Sequence, residues 1–563
     1  MTQPITNLAT GIQAANKMKN DCLNMKEKGI AARDIFIKEM TTEGNKHAYY
    51  STIKNQPITL FEKKDNKKKQ VILSDESQSF TEIFSLFDQR KLDLRQIMEW
   101  PVTSKPWAIV NEDLQGRQNH KSLFRKALQL MSPIGSTDVA PKDIEASIVD
   151  GMRVVRLIKV TKLNARTFKC WSEAFVEYLR GLPGNHLHLV FDNYKYEYST
   201  PSKLRDKSEI ERDINDLNQE LPTAKEWDDF LKNDSNKFKL INILVRYITS
   251  DECNIGKVVY VNNCSICYRK GLDNKYTEFA NLYSTHREAD QKIPMHVVFE
   301  GNTESKGICV VADDSDIYIS LLFISQHIQC KLYFRQGKWK DKDGITYHDV
   351  HSVANELGSE MCSILLSFHA LTGSDYTNPF FNRTKMTSFP KMLKIPSSYK
   401  LLSSLATENV NVSDVTKFIL NIIYNRPLKE RTPGESRYKM LLTRRKTGKE
   451  KKYPSSKALP PDQKSLTMKI LRASFVSHCM VNCLDREYIP PNPSEYGWKL
   501  VDSTWEPVWF EGNALPDANE TNVSSEEDDS ENEDESMESM DDISDSDDSD
   551  YVTSDNTSSD SDF

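Results

Sequence analysis

The residues of this chain best suited to chemistry are aspartates that follow a short apolar run. Residues 308–312 are apolar or small, and Asp313, Asp314 and Asp316 follow them directly. Such a run predicts a buried strand of a parallel sheet, and open α/β sheets bind ligands at the carboxyl ends of these strands. Carboxylates that meet there repel one another unless a cation, best a divalent one, neutralises them. Taken alone, the run is more typical of a solvated acidic turn.

Further carboxylates stand at the ends of other predicted elements. They follow a strand, open a helix or follow a helix, and they are Asp150, Asp192, Glu288, Asp290 and Asp375. Each by itself is more typical of a helix cap or of a surface carboxylate. Because the carboxyl ends of parallel strands meet at one edge of a sheet, Asp150 and Asp192 are expected near Asp314 and Asp316.

The elements that would position these carboxylates alternate between strands and helices from about residue 140 onward. Strands are predicted at Ala146–Val149, Leu187–Phe191, Ile308–Asp316 and Gln329–Phe334. Helices are predicted at Thr167–Gly181, Ser235–Thr249 with Ser235 as N-cap, Asn281–Val298 interrupted by Pro294, and Ser359–Thr372. The alternation predicts an α/β fold with a mainly parallel, twisted sheet flanked by helices.

The regions around this core divide the 563 residues into four parts. Residues 1–140 are a mixed, partly helical region without apparent chemistry, residues 141–400 the α/β domain, residues 401–516 a helical and basic extension, and residues 517–563 an acidic tail. Within the first part, a helix is predicted over Gln118–Met131, with Leu123, Phe124, Ala127 and Leu130 on its inward face.

The net charge of −8 is unevenly distributed along the chain. Residues 517–563 contain 20 Asp and Glu and no Lys or Arg. Subtracting them from the total of 82 acidic residues leaves 62 against 74 basic ones, a net charge of +12 for the remainder. The tail cannot bury enough apolar surface to fold, so we expect it to be disordered and to bind basic proteins or the basic surface of its own chain.

A basic run, Arg437–Lys457, holds nine basic residues and one acidic residue, Glu450. One interpretation of this run is an exposed loop. The other is a functional segment, which either contacts nucleic acid or serves as a nuclear import signal. Ten scattered cysteines and the absence of a secretory pattern in MTQPITNLATGIQ favour the nucleus or cytoplasm, with the basic run favouring the nucleus. Apolar runs such as Ile317–Ile324 are far shorter than the about 20 residues of a membrane span, so no membrane partner is expected.

The acidic residues stand in phrases that resemble the flap-endonuclease branch of the PIN-like nuclease superfamily. In that family one strand ends in Asp and the next in F-D-G, and an E-A-E helix start, a D-x-D strand end and a G-S-D-Y turn follow. The matching phrases, spread over roughly residues 145–390, are Val149-Asp150-Gly151, Val190-Phe191-Asp192, Glu288-Ala289-Asp290, Asp314-Ser315-Asp316 and Gly373-Ser374-Asp375-Tyr376.

A closer likeness is to a poorly characterised group of animal proteins with transposon-derived members. These share D-G-M, F-D-x-Y, E-A-D, D-x-D and A-L-T-G-C-D, which are similar to the phrases here that begin at Asp150, Phe191, Glu288, Asp314 and Ala370. The likeness extends to an L-P-P and a G-W segment, here Leu459–Pro461 and Gly497-Trp498.

The resemblance implies a PIN-like core that hydrolyses phosphodiester bonds in DNA or RNA with two Mg²⁺ or Mn²⁺ ions. It assigns the metal ligands to Glu288, Asp290, Asp314, Asp316 and Asp375, and the catalytic positions to Asp150, Asp192, Lys203 and Arg205. The ions would activate a water and stabilise the leaving 3′ oxygen. Lys203 or Arg205 would neutralise the charge that develops on the phosphate.

The chain departs from the flap-endonuclease pattern at two places. Thr377–Lys385, which follows the G-S-D-Y turn, contains no glycine, whereas the family has a glycine-rich helical hairpin that grips duplex DNA there. Asp290 also stands where the family has a glutamate, one methylene longer. These departures put flap specificity and the metal spacing in question.

In a second interpretation, the chain has the same fold but no catalytic turnover, and it acts as a nucleic-acid-binding or scaffold protein. The retention of seven acidic positions favours catalysis, because unpaired carboxylates held together otherwise have no physical benefit. A zinc site at Cys253, Cys264 and Cys267 is the weaker alternative, since structural zinc sites use four ligands and a second close pair is missing.

Overall fold

A computed structural model describes most of the chain. The described residues are 24–41, 93–103, 105–110, 121–163, 166–195, 201, 210–337, 344–427, 429–446, 456–502 and 504–516. Three of the predicted features lie outside them, namely the acidic tail 517–563, the pair Lys203 and Arg205, and residues 447–455 of the basic run.

Strands β1 to β9 form one sheet and β10 and β11 a separate hairpin. They are β1 (Ser136–Thr137), β2 (Ala146–Asp150), β3 (His186–Val190), β4 (Val258–Asn263), β5 (Ile266–Lys270), β6 (Tyr276–Glu278), β7 (Gly307–Val311), β8 (Lys331–Gln336), β9 (Thr346–Asp349), β10 (Trp498–Val501) and β11 (Thr504–Pro507).

The described α-helices flank the sheet and extend beyond it. They are α1 (Met25–Thr41), α2 (Leu94–Ile97), α3 (Lys121–Gln129), α4 (Gly151–Leu157), α5 (Phe168–Arg180), α6 (Ala224–Lys232), α7 (Asp234–Thr249), α8 (Ala289–Gly301), α9 (Ser315–Ile324), α10 (Val350–Leu357), α11 (Ser359–Thr372), α12 (Lys385–Lys394), α13 (Tyr399–Leu402), α14 (Val412–Phe418), α15 (Pro433–Lys446) and α16 (Gln463–Val481). None of them is both long and apolar enough to cross a membrane.

The strand order of the sheet is β1-β9-β8-β7-β2-β3-β4-β5-β6, and its five central strands are parallel. Numbered along the chain, these five lie in the order 5-4-1-2-3. The chain therefore reverses direction across the sheet between β2 and β7, which are paired from Ala146 with Ile308 to Val149 with Val311. Ligands of open α/β sheets bind at this switch point, outside the carboxyl ends of the strands.

Two hydrophobic layers cover the two faces of the sheet, because alternate strand residues point to opposite sides. Ile148 packs with helices α8, α9 and α11, whereas its neighbour Val149 packs with α5 and α7. The first layer also takes in residues of α14 and α16, so the segment after residue 400 shares a core with the sheet.

The structure confirms the coarse α/β prediction and most of the predicted elements. Helix α5 begins after its N-cap Thr167 and ends at Gly181, and α11 spans the predicted Ser359–Thr372. Pro294 lies inside α8, which begins at Ala289 rather than at Asn281. The N-cap of α7 is Asn233 and not Ser235, because the Asn233 side chain accepts the bond from the Asn236 N–H.

Three other predictions are wrong in informative ways. The strand predicted to run to Asp316 ends at Val311, and Asp314 instead caps α9, whose first turn contains Asp316. The alternative of an exposed loop for the basic run is wrong up to Lys446, since this part is helix α15 and Arg437 is buried against backbone carbonyls.

The inward face of the helix predicted over Gln118–Met131 is wrong except at Phe124. Leu123 in α3 and Leu130 just after it are exposed, whereas Phe124 and Leu128 are buried together with the polar Arg125 and Gln129. The buried positions have spacings of three and four residues, but polar side chains occupy half of them. The apolar pattern therefore misled the prediction.

Candidate acidic site

One aspartate ends strand β2, another follows the adjacent strand β7, and each caps the next helix. Asp150 Oδ1 accepts hydrogen bonds from the backbone N–H groups of Met152 (3.0 Å) and Arg153 (3.2 Å). Asp314 Oδ1 accepts one from the Asp316 N–H at 3.0 Å. Short polar side chains are favoured at N-caps because they satisfy such N–H groups. The caps hold both carboxylates at the switch point of the sheet.

Asp192 links the end of β3 to the start of helix α8. Its Oδ1 accepts a hydrogen bond from the Ala289 N–H at 2.7 Å, and its Oδ2 accepts one from the Tyr194 hydroxyl at 2.8 Å. Glu288 is the N-cap residue of α8 and Asp290 lies in its first turn. The predicted E-A-D helix start is therefore confirmed and is anchored directly to Asp192.

Two glycines allow the close approaches that this arrangement needs. A Cβ atom on Gly151 would lie 2.2 Å from the ring of Phe191, so only glycine lets Phe191 pack beside Asp150. Gly373 has a φ of 124° and ends α11, which directs the following Ser374-Asp375 turn toward the cleft. The Tyr376 hydroxyl in this turn donates a 2.5 Å hydrogen bond to Glu288 Oε1.

Lys121, the first residue of α3, lies among three of these carboxylates. Its Nζ is 3.1 Å from both Oδ atoms of Asp316, 2.5 Å from Asp375 Oδ1 and 3.6 Å from Asp314 Oδ1. Burial disfavours its ammonium, but the three carboxylates outweigh that effect and raise the pKa of Lys121. The Lys121 ammonium therefore links the start of α3 to the start of α9 and to the turn that contains Asp375, which are far apart in sequence.

A second layer of basic groups lies behind Asp316. His369 Nε2 is 3.0 Å from Asp316 Oδ1, though not oriented for a hydrogen bond, and burial lowers the pKa of His369. Lys385 is buried and donates to the Gly373 carbonyl. Burial lowers the pKa of Lys385 to about 7, against the opposing effect of the Asp316 carboxylate.

The carboxylates interact unfavourably on the opposite wall of the site. Burial raises the pKa of Asp150 to about 6, and the charges of Asp192 and then Asp314 add to the shift. Lys292, one turn into α8, is buried and donates to the carbonyls of Phe191 (2.9 Å) and Cys264 (3.0 Å). Burial lowers the pKa of Lys292 to about 8. This wall is a place where added positive charge lowers the electrostatic free energy.

Asp313, the first acid of the run, lies outside this set. Its Oδ2 accepts a hydrogen bond from Arg153 Nε at 2.7 Å and its Oδ1 one from the Gly337 N–H at 3.0 Å. Arg153 is buried and also donates to the Tyr178 hydroxyl at 3.0 Å. Asp313 therefore holds the segment after β7 to α4 and the end of β8.

A cleft of about 650 Å³, including the part open to solvent, adjoins the carboxylates. Its acidic side contains Glu288, Asp290 and Asp316. Its other side is mostly apolar and is formed by α16 and the segment after it, with Phe475, Val476, Cys479, Met480, Tyr488 and Pro490. The cleft thus joins carboxylate side chains to an apolar wall from the C-terminal part of the chain.

The structure brings the predicted Asp150, Asp192, Glu288, Asp290, Asp314, Asp316 and Asp375 to one edge of the sheet. Lys203 and Arg205 lie outside the described residues. Arg212, seven residues after Arg205, pairs with Glu226 at 2.9 Å on the surface. The sequence-based prediction missed Lys121 and Lys385. The only feature of the sequence that could have identified these lysines is a polar residue at an inward position of a helix. A search for apolar patterns does not detect such a residue.

The carboxylate oxygens of the set fit a hard divalent cation, because Mg²⁺ and Mn²⁺ prefer such oxygens. The contacts of Lys121 also show that three of these carboxylates can share one positive charge. Among the described residues, however, no group of three or more His, Cys, Asp or Glu side chains has the arrangement of metal ligands. The carboxylates around Lys121 are arranged for an ammonium group.

Comparisons of the chain with protein-family models, with curated proteins and with solved structures found no match. The fold family and the activity are therefore not assigned by similarity.

Proposed function

We propose that this chain is a divalent-metal-dependent nuclease with a PIN-like core, which hydrolyses phosphodiester bonds in DNA or RNA. The observation that carries the proposal is the position of Lys121, whose ammonium is bound by Asp314, Asp316 and Asp375. Carboxylates from separate elements that share one cation at the switch point of a parallel sheet favour a cation-dependent site.

The order of the parallel strands adds support. Asp150 and Asp192 follow the first two parallel strands, and Asp314 follows the fourth, β7. The same positions carry the motifs that resemble the flap-endonuclease branch, which supports placing the proposed site there. A basic body with a net charge of +12 suits a polyanionic substrate.

Metal ions would be held by Glu288, Asp290, Asp314, Asp316 and Asp375, with Asp150 and Asp192 on the opposite wall. When bound, they would supply charge stabilisation at the scissile phosphate and an activated water. The chain's own groups orient this set: Tyr376 positions Glu288, and the Ala289 N–H positions Asp192. Lys121 must give up at least part of its contacts for a cation to reach Asp314 and Asp316.

A second candidate function, nucleic-acid binding without turnover, is favoured by the same Lys121. An internal ammonium that already neutralises three carboxylates removes the electrostatic need for a metal ion. In that case the seven acidic positions would form a structural ion-pair network. Metal binding separates the two functions more directly than activity does.

The test combines Mn²⁺ titration by calorimetry with cleavage of labelled single-stranded, flap and duplex DNA and of single-stranded RNA. The nuclease proposal expects Mn²⁺ binding and hydrolysis, and a loss of at least about a hundredfold in rate for Asp314→Asn combined with Asp316→Asn. Hydrolysis that survives this double substitution would assign the activity to another site. Nucleic-acid binding with neither Mn²⁺ binding nor hydrolysis would establish the second candidate.

A matched control is Asp349→Asn. Asp349 caps α10 as Asp314 caps α9, and it accepts a 3.0 Å hydrogen bond from the Ser352 N–H. Asparagine retains this capping role in both places. The control therefore removes one carboxylate charge, as the Asp314→Asn part of the double substitution does, from an equivalent position outside the acidic site. Its activity should equal that of the unaltered chain.

A further inference from the structure

The start of helix α8 is capped by a residue of another element. The first backbone N–H groups of a helix have no partner within the helix, and the side chain of the N-cap residue usually accepts a bond from one of them. In α8 the N-cap residue is Glu288, but its side chain makes no capping hydrogen bond. The Ala289 N–H donates instead to Asp192 Oδ1, just beyond the end of β3. The capping role therefore belongs to Asp192.

Two further bonds hold the end of β3 to the start of α8, one on either side of Asp192. The Asn193 N–H donates to the Arg287 carbonyl at 2.6 Å, and Lys292 Nζ donates to the Phe191 carbonyl at 2.9 Å. Phe191, Asn193 and Lys292 are all buried, so water competes little for these bonds. Consecutive residues at the end of β3 thus fix the position at which α8 begins.

Tyr194 sets the orientation of the Asp192 carboxylate. Its hydroxyl donates a 2.8 Å hydrogen bond to Asp192 Oδ2, so each oxygen of the carboxylate accepts a bond. The ring of Tyr194 is in turn covered by the Lys237 ammonium of α7, which lies 4.3 Å from the ring centroid. The capping carboxylate is therefore held by groups from two other elements, α7 through Tyr194 and α8 through Ala289.

The Glu288 side chain contributes to the cleft instead of to the cap. Glu288 lines the cleft together with Asp290, and its Oε1 accepts the 2.5 Å hydrogen bond from the Tyr376 hydroxyl. Asp192, although it is among the described residues, does not line the cleft. Acidic residues that meet at one helix start therefore have different roles: Asp192 holds the helix and Glu288 faces the cavity.

We infer that Asp192 is a positioning residue, which caps α8 from the end of β3 and so holds Glu288 and Asp290 where a divalent cation can bind them. This inference rests on the proposed nuclease function. It gives Asp192 a different role from the catalytic one that the resemblance implies. Groups that orient metal ligands without contacting the metal typically contribute about tenfold to a hundredfold to metal affinity.

The first test compares Asp192→Ala with Asp192→Asn by Mn²⁺ calorimetry. Alanine removes the cap, so it should lower the Mn²⁺ affinity by about tenfold or more. Asparagine keeps an oxygen for the Ala289 N–H and can donate its amide to the Tyr194 hydroxyl, so it should recover most of that loss. A loss in Asp192→Asn as large as the loss in Asp192→Ala would show that the charge of Asp192 itself is needed, and this result overturns the inference.

The second test measures amide hydrogen exchange of residues 287–292 in the metal-free chain. Loss of the cap in Asp192→Ala should speed exchange at the Ala289 N–H by about fivefold, and Asp192→Asn should retain most of the protection. This readout needs neither a metal ion nor a substrate. Exchange at Ala289 that is the same in Asp192→Ala as in the unaltered chain contradicts the capping role.

Asp349→Ala is the matched control, because Asp349 caps α10 outside the acidic site. It should lower stability without changing the Mn²⁺ affinity. Tyr194→Phe is a milder variant in case Asp192→Ala does not fold. It removes one bond to Asp192 and should weaken Mn²⁺ binding, and an unaltered Mn²⁺ affinity in this variant counts against the inference.

The two proposals fail in different ways. Mn²⁺ binding and hydrolysis that respond equally to Asp192→Asn and Asp192→Ala would leave the nuclease proposal standing and remove the positioning role. An unaltered chain that binds no Mn²⁺ would refute the nuclease proposal. Protection of the Ala289 N–H in that chain would then make Asp192 a structural cap only, which overturns the inference as well.

Discussion

The Nζ of Lys121 lies 3.1 Å from both carboxylate oxygens of Asp316, although 195 residues separate the two in sequence. Helix α3 reaches this position because Phe124 and Leu128 are buried in the core that contains α9 and α11. Arg125 adds a hydrogen bond to the Asp313 carbonyl. The helix is thus anchored by groups other than Lys121, so the lysine side chain can change without undocking the helix.

We expect Lys121→Met to increase the affinity for Mn²⁺ by about tenfold or more, because the competing ammonium is removed from three carboxylates. The metal-free chain should have a lower melting temperature, since those carboxylates then repel one another, and Mn²⁺ should raise it more than in the unaltered chain. Calorimetry and thermal melts measure both effects.

Lys121→Arg is the control for this change, because it keeps the charge and should not tighten Mn²⁺ binding. An unaltered or weaker Mn²⁺ affinity in Lys121→Met would show that the lysine does not compete with metal ions.

The neighbours Asp313 and Asp314 should respond differently to the same substitution. Asp313→Asn weakens the pair with the buried Arg153 and should lower the free energy of unfolding by about 1–2 kcal/mol without changing Mn²⁺ affinity. Asp314→Asn should lower Mn²⁺ affinity with little effect on stability, since asparagine also caps helices. Denaturant unfolding and calorimetry measure the two effects. A loss of stability in Asp314→Asn together with a loss of Mn²⁺ affinity in Asp313→Asn would show that the assignment of the two aspartates is wrong.

Gly151→Ala should disturb the packing that holds Asp150 beside Asp192. The new Cβ atom would lie 2.2 Å from the buried Phe191 ring, and overpacking of this kind costs about 1–3 kcal/mol. Gly29→Ala is the matched control, because nothing lies within 4 Å of a Cβ atom there, and alanine favours its helix. Equal unfolding free energies for the two variants would contradict the close approach at Gly151.

A buried carboxylate outside the candidate site predicts a pH-dependent contribution to stability. His186 Nδ1 lies 2.8 Å from Glu300, and this hydrogen bond raises the pKa of His186 despite partial burial and the opposing charge of Arg269, with Glu145 adding a smaller upward effect. Burial alone would raise the Glu300 pKa, but hydrogen bonds from His186 and His188 hold it well below its usual range.

Because the folded chain binds the His186 proton more tightly than the unfolded chain, this stabilisation is complete below pH 6.5 and is lost as the pH rises through the raised pKa. His186→Gln should therefore lower the melting temperature more at pH 6 than at pH 9. The exposed His327→Gln serves as control. A melting-temperature difference for His186→Gln that is the same at both pH values would refute the linkage.

Deletion of residues 517–563 should tighten nucleic-acid binding at low salt. The tail carries 20 carboxylates against a body with a net charge of +12, so the tail competes with a polyanion for the basic surface. Fluorescence anisotropy with a labelled oligonucleotide measures the change, which should disappear at high salt because of screening. Unchanged affinity at low salt would mean that the tail does not compete.

Much of the parallel core and the location of the acidic set could be predicted from local pattern. Short apolar runs ending in Asp150 and Asp192 are strands β2 and β3, and the E-A-D phrase opens α8. The elements were predictable because strand burial and helix capping depend on residues that are close in sequence. The location of the set followed from the general rule that parallel strands place their carboxyl ends at one edge of the sheet.

Residues distant in sequence decided the rest. The helix of Lys121 precedes the sheet and gave only a misleading apolar pattern, since its inward face carries Lys121, Arg125 and Gln129. The apolar side of the cleft is formed by residues from Phe475 to Tyr488, nearly two hundred residues after Glu288. Polar burial and pocket walls depend on which elements pack together. The sequence by itself therefore determined the acidic set, and the tertiary structure alone decided its counter-ion and its neighbours.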